Sequence, residues 1–417
     1  MPVNPIAVVL LAAALTALAS THAVSQGSSP ACPAPGTPVA EPYPWYPALD
    51  LARIPFHTGA GPWGPRAAIA APAPPFTTRT VRVTSAAEFA LEARVPQTRI
   101  TLAAQYIGPV VVLGDVSDLD IVVPPGHRVA QLTIGRVSPP STTHRVRVRG
   151  TTPGAHSGGL IGRLTFGSMA AISDIIIDGV DLNGDDGNGG NLLWDFVRPA
   201  ERVAVVNIRG HGVGPASLHP GGVNIVIAGN RIMSGARSRE ANGYPEAWGI
   251  RGGDRLVVYD NRIDGTRYHR VRLHPLPGPP QYAWVANNTF VEPHEARIFS
   301  VFALPGAPSN RFAGAWAVCN RVYAHSTCMS PSFDAMHANY AMLTSNVFFG
   351  SITQAFQSAQ QAAHGPGRDY LTGNTFSAWQ APPAWQAPGD PTTTVPLPLV
   401  AGSRFNPGLK MQPCPPP

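Results

Sequence analysis

The stretches IVIAGNRI (225–232), LVVYDNRI (256–263), AWVANNTF (283–290), WAVCNRV (316–322), AMLTSNVF (341–348) and YLTGNTF (370–376) repeat one pattern. A short apolar run ends at an asparagine, and an apolar or aromatic residue follows close behind. The asparagines are Asn230, Asn261, Asn288, Asn320, Asn346 and Asn374, at successive spacings of 31, 27, 32, 26 and 28 residues. A motif that persists while its period drifts marks a solenoid whose coils carry loops of unequal length. The runs are rich in Val, Ile, Phe and Tyr and too short for helices, which suits strands one coil wide. Coils of two or three such strands, each hydrogen-bonded to its equivalents above and below, build a parallel β-helix. An asparagine at the same inward corner of each coil can bond the turn backbone and the asparagines of neighbouring coils, forming an internal ladder that satisfies buried amides. These asparagines are expected to be scaffold.

Upstream, LDIVVPPG, AQLTIGR, HRVRVRG, SDIIIDGVDLNG and RVAVVNIRG continue the pattern less regularly, with the alternation of half-buried strands. Before them VRVTSAAEFALEARV places Ser85 and Glu88 at capping-box spacing and puts Phe89 and Ala93 on one helical face. A helix there caps the first coil, whose open edge would otherwise expose unpaired backbone and apolar interior. The expected fold is all-β: a parallel β-helix over 79–378 with a short N-terminal capping helix and an internal asparagine ladder.

The flanks differ in composition. Ile6 to Leu18 is apolar but too short to span a bilayer, and small-residue cleavage sites follow at Ala17-Leu18-Ala19 and Thr21-His22-Ala23. Residues 1–23 are therefore expected to be a signal peptide, 24–78 a Pro-rich segment containing PYPWYP, and 379–417 a Pro-rich tail. No later segment reads as membrane-spanning, and export to the periplasm or outside the cell is the expected localisation. The 417 residues include 88 Gly and Pro and are only 13% charged, a composition of extracellular β-rich chains. Four cysteines, Cys32, Cys319, Cys328 and Cys414, suit an oxidising compartment; of three connectivities, Cys319 with Cys328 and Cys32 with Cys414 is the simplest.

The formal charge is +6, almost all of the positive charge is arginine, and Lys410 is the sole lysine. Arginine spread along an exported solenoid fits acidic polysaccharide better than nucleic acid, for which no stacking-rich motif is present. An extracellular polysaccharide is the expected partner, nucleic acid is not, and a monomer is expected.

Signal peptide, Ser-Ala-Ala-Glu helix, TRITLAAQYIG strand and asparagine-ended coils together resemble the right-handed β-helix proteins of the pectate-lyase-like superfamily, over about 300 residues. The resemblance implies right-handedness. It leaves function open, because lyases, glycosidases, esterases, epimerases and noncatalytic surface proteins share that fold.

Candidate chemistry centres on DLNGDDGNGGN at 181–191. Three readings stand side by side. A polar Gly-rich inter-coil loop needs these residue types. Asp181, Asn183 and Asp185 have the alternating oxygens of a calcium loop, although Gly187 comes one residue late. The third reading is catalytic: Gly-Asp-Asp at 184–186, Gly-His-Gly at 210–212 and Gly-Ile-Arg at 249–251 are similar in order to polygalacturonases. By that resemblance Asp185, Asp186, His211 and Arg251 would be catalytic; Gly253 stands where the family has a lysine, and no Asn-Thr-Asp element precedes the pair. Inverting hydrolysis needs two carboxyls about 6.5 to 9.5 Å apart, whereas adjacent strand residues face opposite sides.

TRYHRVRLHPL offers a second constellation, in which Arg270, Arg272 and His274 alternate with Val271 and Leu273. With Arg251 a coil earlier and Arg297 a coil later they would form a basic stripe able to clamp carboxylates, with Tyr268 or Trp248 stacking on sugar rings. An arginine-based β-elimination remains open on these residues; a lysine base and a Gly-x-Ser-x-Gly nucleophile are absent. The expectation is a secreted protein that binds an acidic polysaccharide, with cleavage by a lyase or glycoside hydrolase mechanism left open. No cofactor is required, and calcium is a candidate. The alternative is a noncatalytic structural or adhesive surface protein.

Overall fold

The computed structural model describes residues 77–135, 141–167, 171–183, 192–194, 200–212, 216–218, 222–234, 246–251, 256–264, 271–274, 281–291, 297–301, 312–318, 320–324, 332–334, 341–344, 347–350, 356–357, 369–372, 375–377, 386–387, 390–394 and 404–406. They are mostly β, in parallel sheets with stacked buried asparagines, an arrangement that fits a parallel β-helix.

The first sheet has twelve parallel strands in coil order, from Arg79–Val83 to Asp369–Thr372. A second and third sheet arise from a shared origin. Tyr106–Ile107 and Val110–Val112 pair with opposite halves of the single strand Arg128–Ile134, which pairs along its length with Leu160–Phe166. That strand then divides: its first half pairs with Asp181–Asn183 and its second with Leu192–Trp194. From there two separate stacks run upward. The second continues through Arg209–Gly212, Arg231–Ser234, Arg262–Asp264, Thr289–Val291 and Arg321–Ala324, and the third through Ala216–Leu218, Glu246–Arg251, Val271–His274 and Arg297–Val301. Parallel pairing extends beyond 378, because Arg404–Asn406 adds to Thr375–Ser377; Gln386–Ala387 and Asp390–Thr394 form a small antiparallel pair.

The helix α1, Ala86–Glu92, starts as its sequence predicts. Ser85 Oγ accepts from Glu88 N (3.2 Å), while the Glu88 carboxylate reaches back one residue further than the usual box, to Thr84 N (2.7 Å). Phe89 and Ala93 are buried in the same core as Val83, Ile100 and Leu102.

The corner between the first and second sheets explains the repeat. The residues before Val180, Ile208, Asn230, Asn261 and Asn288 at this corner have positive φ: Gly179, Asn207, Gly229, Asp260 and Asn287, all types that tolerate the left-handed region. This bend turns the next side chain inward. Asn230, Asn261, Asn288 and Asn320 are all buried there. Each Nδ2 donates to a backbone carbonyl one strand back: Val205 (2.9 Å), Ile227 (3.0 Å), Val258 (3.0 Å) and Val285 (2.9 Å). The first three also donate to the next asparagine's Oδ1, at 2.8, 2.9 and 2.9 Å. The ladder begins at Ile208, whose N–H donates to Asn230 Oδ1 (2.9 Å). Asn346 and Asn374 lie outside the described residues.

The first-sheet strands differ from the half-buried alternation read from sequence. Ile175, Ile176 and Ile177 are all buried, as are Val203 to Val206 and Ile225 to Ala228, so both sheet faces are covered in these coils. Continuous apolar runs follow from that two-sided burial.

A second left-handed column crosses the first sheet: Gln97, Asp118, Arg145, Asp174 and Arg202. From Asp118 onward its charges alternate. Arg145 clasps Asp118 through Nε and Nη2 (2.5 and 2.6 Å), and Arg202 clasps Asp174 (2.6 and 2.8 Å). Bidentate pairs of this kind offset the strain of an arginine at positive φ. Deeper, fully buried Asp120 accepts from Arg99 (2.8 Å), Arg147 (2.9 Å) and Arg149 (2.9 Å). Burial raises the Asp120 carboxyl, but the hydrogen bonds and charges of Arg147 and Arg149 outweigh it and hold the group far below the usual carboxylate range.

Candidate functional site

The second sheet collects part of the predicted chemistry. Its inward column, Leu182, Gly210, Ile232, Ile263 and Phe290, is buried core. The residues on either side of it fall into two register columns. One runs Asp181, Arg209, Arg231, Arg262, Thr289, Arg321, and the other Asn183, His211, Met233, Asp264, Val291. Adjacent coils are about 4.8 Å apart and the two columns roughly 6.6 Å.

Register thus brings Asn183 directly beside His211, with Asp181 and Arg209 two positions earlier on the same strands. The glycine of Gly-His-Gly has a packing role: a Cβ on Gly210 would come 2.9 Å from Ile232 Cδ1 in the core column. Asp181 has a partner invisible to local sequence, since His156 Nε2 lies 2.8 Å from its Oδ1. His156 arrives on the compact loop after Arg149, tied by Thr152 N–H to Ser157 Oγ (2.7 Å) and by Gly154 N–H to Asp178 Oδ2 (2.7 Å). The 25-residue gap between His156 and Asp181 is why no motif flagged the pair. Burial pushes the Asp178 carboxyl up, opposed by donors from Gly154 and Asn207 and by the charges of Arg147 and Arg149.

Asp185 and Asp186 lie outside the described residues. Ile161 and Leu164 are three residues apart on one strand, whereas their partners Leu182 and Leu192 are ten apart. The continuous strand divides into two sheets between these two pairings. The same corner spans eight residues from Gly210 to Leu218 and sixteen from Ile232 to Trp248.

Arg251 lies elsewhere. It sits on the third sheet directly beside His274, and Arg272 is beside Gly249 and Ser300. Arg251, Arg272 and His274 thus occupy equivalent alternate positions of neighbouring strands, away from the His211 column. Arg297 does not continue the stripe above Arg272, because Phe299 pairs with Val271 and places Arg297 two residues earlier. Trp248 shares its column with Leu192, Leu218, Val271 and Phe299, above the buried core residue Leu164. Tyr268, Arg270 and all four cysteines lie outside the described residues. Among the described residues no group of three His, Cys, Asp or Glu side chains gathers to hold a metal ion, and no helix is long and apolar enough to cross a membrane. Asp181 and Asn183 of the calcium reading occupy alternate strand positions; Asp185, its third member, is outside the described residues.

No protein-family model, curated protein or solved structure matches this chain.

Proposed function

We propose that this chain is an exported, right-handed parallel β-helix of the pectate-lyase-like kind that binds an extracellular acidic polysaccharide. In this reading α1 caps the first coil. The supporting observation is the register of the third sheet, in which Arg251 stands beside His274 while Arg272 takes an alternate position of the same strand pair. Three basic groups within two coils match the repeated carboxylates of an acidic polymer, which guanidinium groups bind with paired hydrogen bonds.

Cleavage is the finer part of the proposal. Register sets Asn183 beside His211 on the strand pair that also carries Asp181, whose partner is the loop residue His156. General acid–base hydrolysis there would draw on the aspartates and His211; elimination would draw on Arg251 or Arg272. Incubating mature protein with acidic polysaccharides, with and without calcium, separates these. New reducing ends with ultraviolet-absorbing unsaturated products indicate elimination, and reducing ends alone indicate hydrolysis. For binding itself, Arg251→Ala with Arg272→Ala is expected to weaken retention on an immobilised acidic glycan, and unchanged retention removes the third-sheet site.

A further inference from the structure

The outer face of the first sheet is buried without belonging to the contiguous core. Ile177, Val205, Ile227 and Val258 are members of the core cluster inside the coils. Their neighbours along each strand therefore point the other way. They fall into two register columns, Ile176, Ala204, Val226 and Val257 in one and Val206, Ala228 and Tyr259 in the other. None of these residues is in the core cluster, yet each is only 1 to 6% exposed. Toward the first coil the columns continue as Arg147 and Asp120, and as Asp178 and Arg149, all buried as well. The buried outer face thus extends over six successive strands, from Val116–Val122 to Leu256–Tyr259.

The neighbouring connections are too short to cover it. Those leading into the strands of Ile176, Ala204, Val226 and Val257 have 4, 5, 3 and 4 residues, and each of these strands is followed by a two-residue corner. The chemistry of the face narrows what can lie on it. Its ions are satisfied within the sheet and its own loop: Asp120 accepts from Arg99, Arg147 and Arg149, Arg149 donates to the carbonyls of Gly150 (2.9 Å) and Thr151 (3.2 Å), and Asp178 accepts from Gly154 N–H and Asn207 Nδ2. The cover therefore need supply neither charge nor hydrogen-bond donors, which favours an apolar segment.

Residues 42–76, PYPWYPALDLARIPFHTGAGPWGPRAAIAAPAPPF, have that chemistry and lie outside the described residues. Among these 35 residues are nine prolines and six aromatic residues, and only Asp50, Arg53 and Arg66 are charged. Segments that stay in water are poor in aromatic residues and rich in charge. This many prolines also removes donors for a sheet ladder and favours the extended polyproline conformation, which makes no internal hydrogen bonds. The point of attachment fits too. The segment leads into Arg79–Val83, the first strand of this same sheet, seven strand spacings or about 34 Å from Leu256–Tyr259. At about 3.1 Å per residue, about eleven extended residues cross that distance. The C-terminal flank instead follows Arg404–Asn406, on the second sheet at the opposite end of the stack.

We propose that residues 42–76 run along the outer face of the first sheet as an intramolecular strap, seating aromatic side chains on the column of Ile176, Ala204, Val226 and Val257. The strap closes the first sheet to ligands and partners and leaves the second and third sheets as the faces on which the chain engages anything else. It stands independently of the glycan reading.

The test uses the full chain with the photoreactive residue p-benzoylphenylalanine in place of Tyr259, one aromatic side chain for another on this face. Irradiation followed by peptide mapping is expected to join position 259 to a peptide within 42–76. Attachment to any other segment of the chain overturns the strap. So does attachment only between copies, recognised by mixing isotopically light and heavy protein, or no attachment in protein with unchanged circular dichroism. Should the replacement disturb the fold, a second measurement on the unaltered protein decides. Arg53 and Arg66 are the tryptic sites of the segment. Cleavage there is expected to be about tenfold or more slower in the folded chain than in the isolated peptide 42–76, and equal rates overturn the proposal.

Discussion

Asn261→Ala removes the middle rung of the ladder. The side chain takes part in four hydrogen bonds: Oδ1 accepts from Asn230 N (3.0 Å) and Asn230 Nδ2 (2.8 Å), and Nδ2 donates to Ile227 O (3.0 Å) and Asn288 Oδ1 (2.9 Å). Two of the four partners have compensation, because Asn230 Nδ2 still reaches Val205 O and Asn288 Oδ1 still accepts from Asn261 N. The Asn230 N–H and the Ile227 carbonyl lose these bonds inside the core. Each buried orphan costs roughly 1 to 3 kcal/mol, so the substitution should destabilise by about 4 kcal/mol. For a domain of this size that is a fall in Tm of about 10 °C. Thermal unfolding followed by circular dichroism measures it, with Arg231→Ser as the control. Arg231 is exposed one residue past Asn230, and its loss should change stability by no more than about 0.5 kcal/mol. A loss below about 1 kcal/mol for Asn261→Ala, or one equal to the control, would refute the reasoning that the ladder carries the corner.

Two further outcomes follow from the same scaffold. Gly179→Ala should destabilise much more than Gly210→Ala. At Gly179 a Cβ would meet Ala155 O at 2.1 Å on a backbone with φ +67, whereas at Gly210 it meets the movable end of Ile232 at 2.9 Å. Parallel thermal melts rank the two, and equal losses would contradict the packing. Asp120, with its folded pKa depressed, contributes stability that is present above the unfolded value of about 3.9 and lost as pH falls through the folded one. Asp120→Asn should therefore lower stability by about 3 to 5 kcal/mol at pH 7 and flatten its decline below about pH 4, read from denaturant titrations across that range.

The parts of the fold legible in sequence were those written locally. The asparagine pattern from Asn230 to Asn320, Ser85 as helix cap, and the shared face of Phe89 and Ala93 are short-range signals, and each appears in the structure as expected. The residue before Asn230, Asn261 and Asn288 was an available but unused signal: Gly229, Asp260 and Asn287 are types that accept positive φ. Pairings across a coil were not legible. Nothing near Asp181 points to His156, and nothing near Asp120 points to Arg99, Arg147 and Arg149, because register between coils sets those contacts.

The arginine sites show the same division. Sequence spacing of about one coil brought Arg251 and the Arg272–His274 strand together, and the register does pair Arg251 with His274. It could not align Arg297, which lies three residues before Ser300, the partner of Arg272, nor connect Arg209, Arg231 and Arg262 at spacings of 22 and 31 residues. By itself the sequence determined the coil: which residues make strands, which corner bends and which side chain turns inward there. Only the tertiary structure decided which residues of different coils become neighbours, because variable loop lengths erase the period in sequence while hydrogen bonding between parallel strands restores it in space.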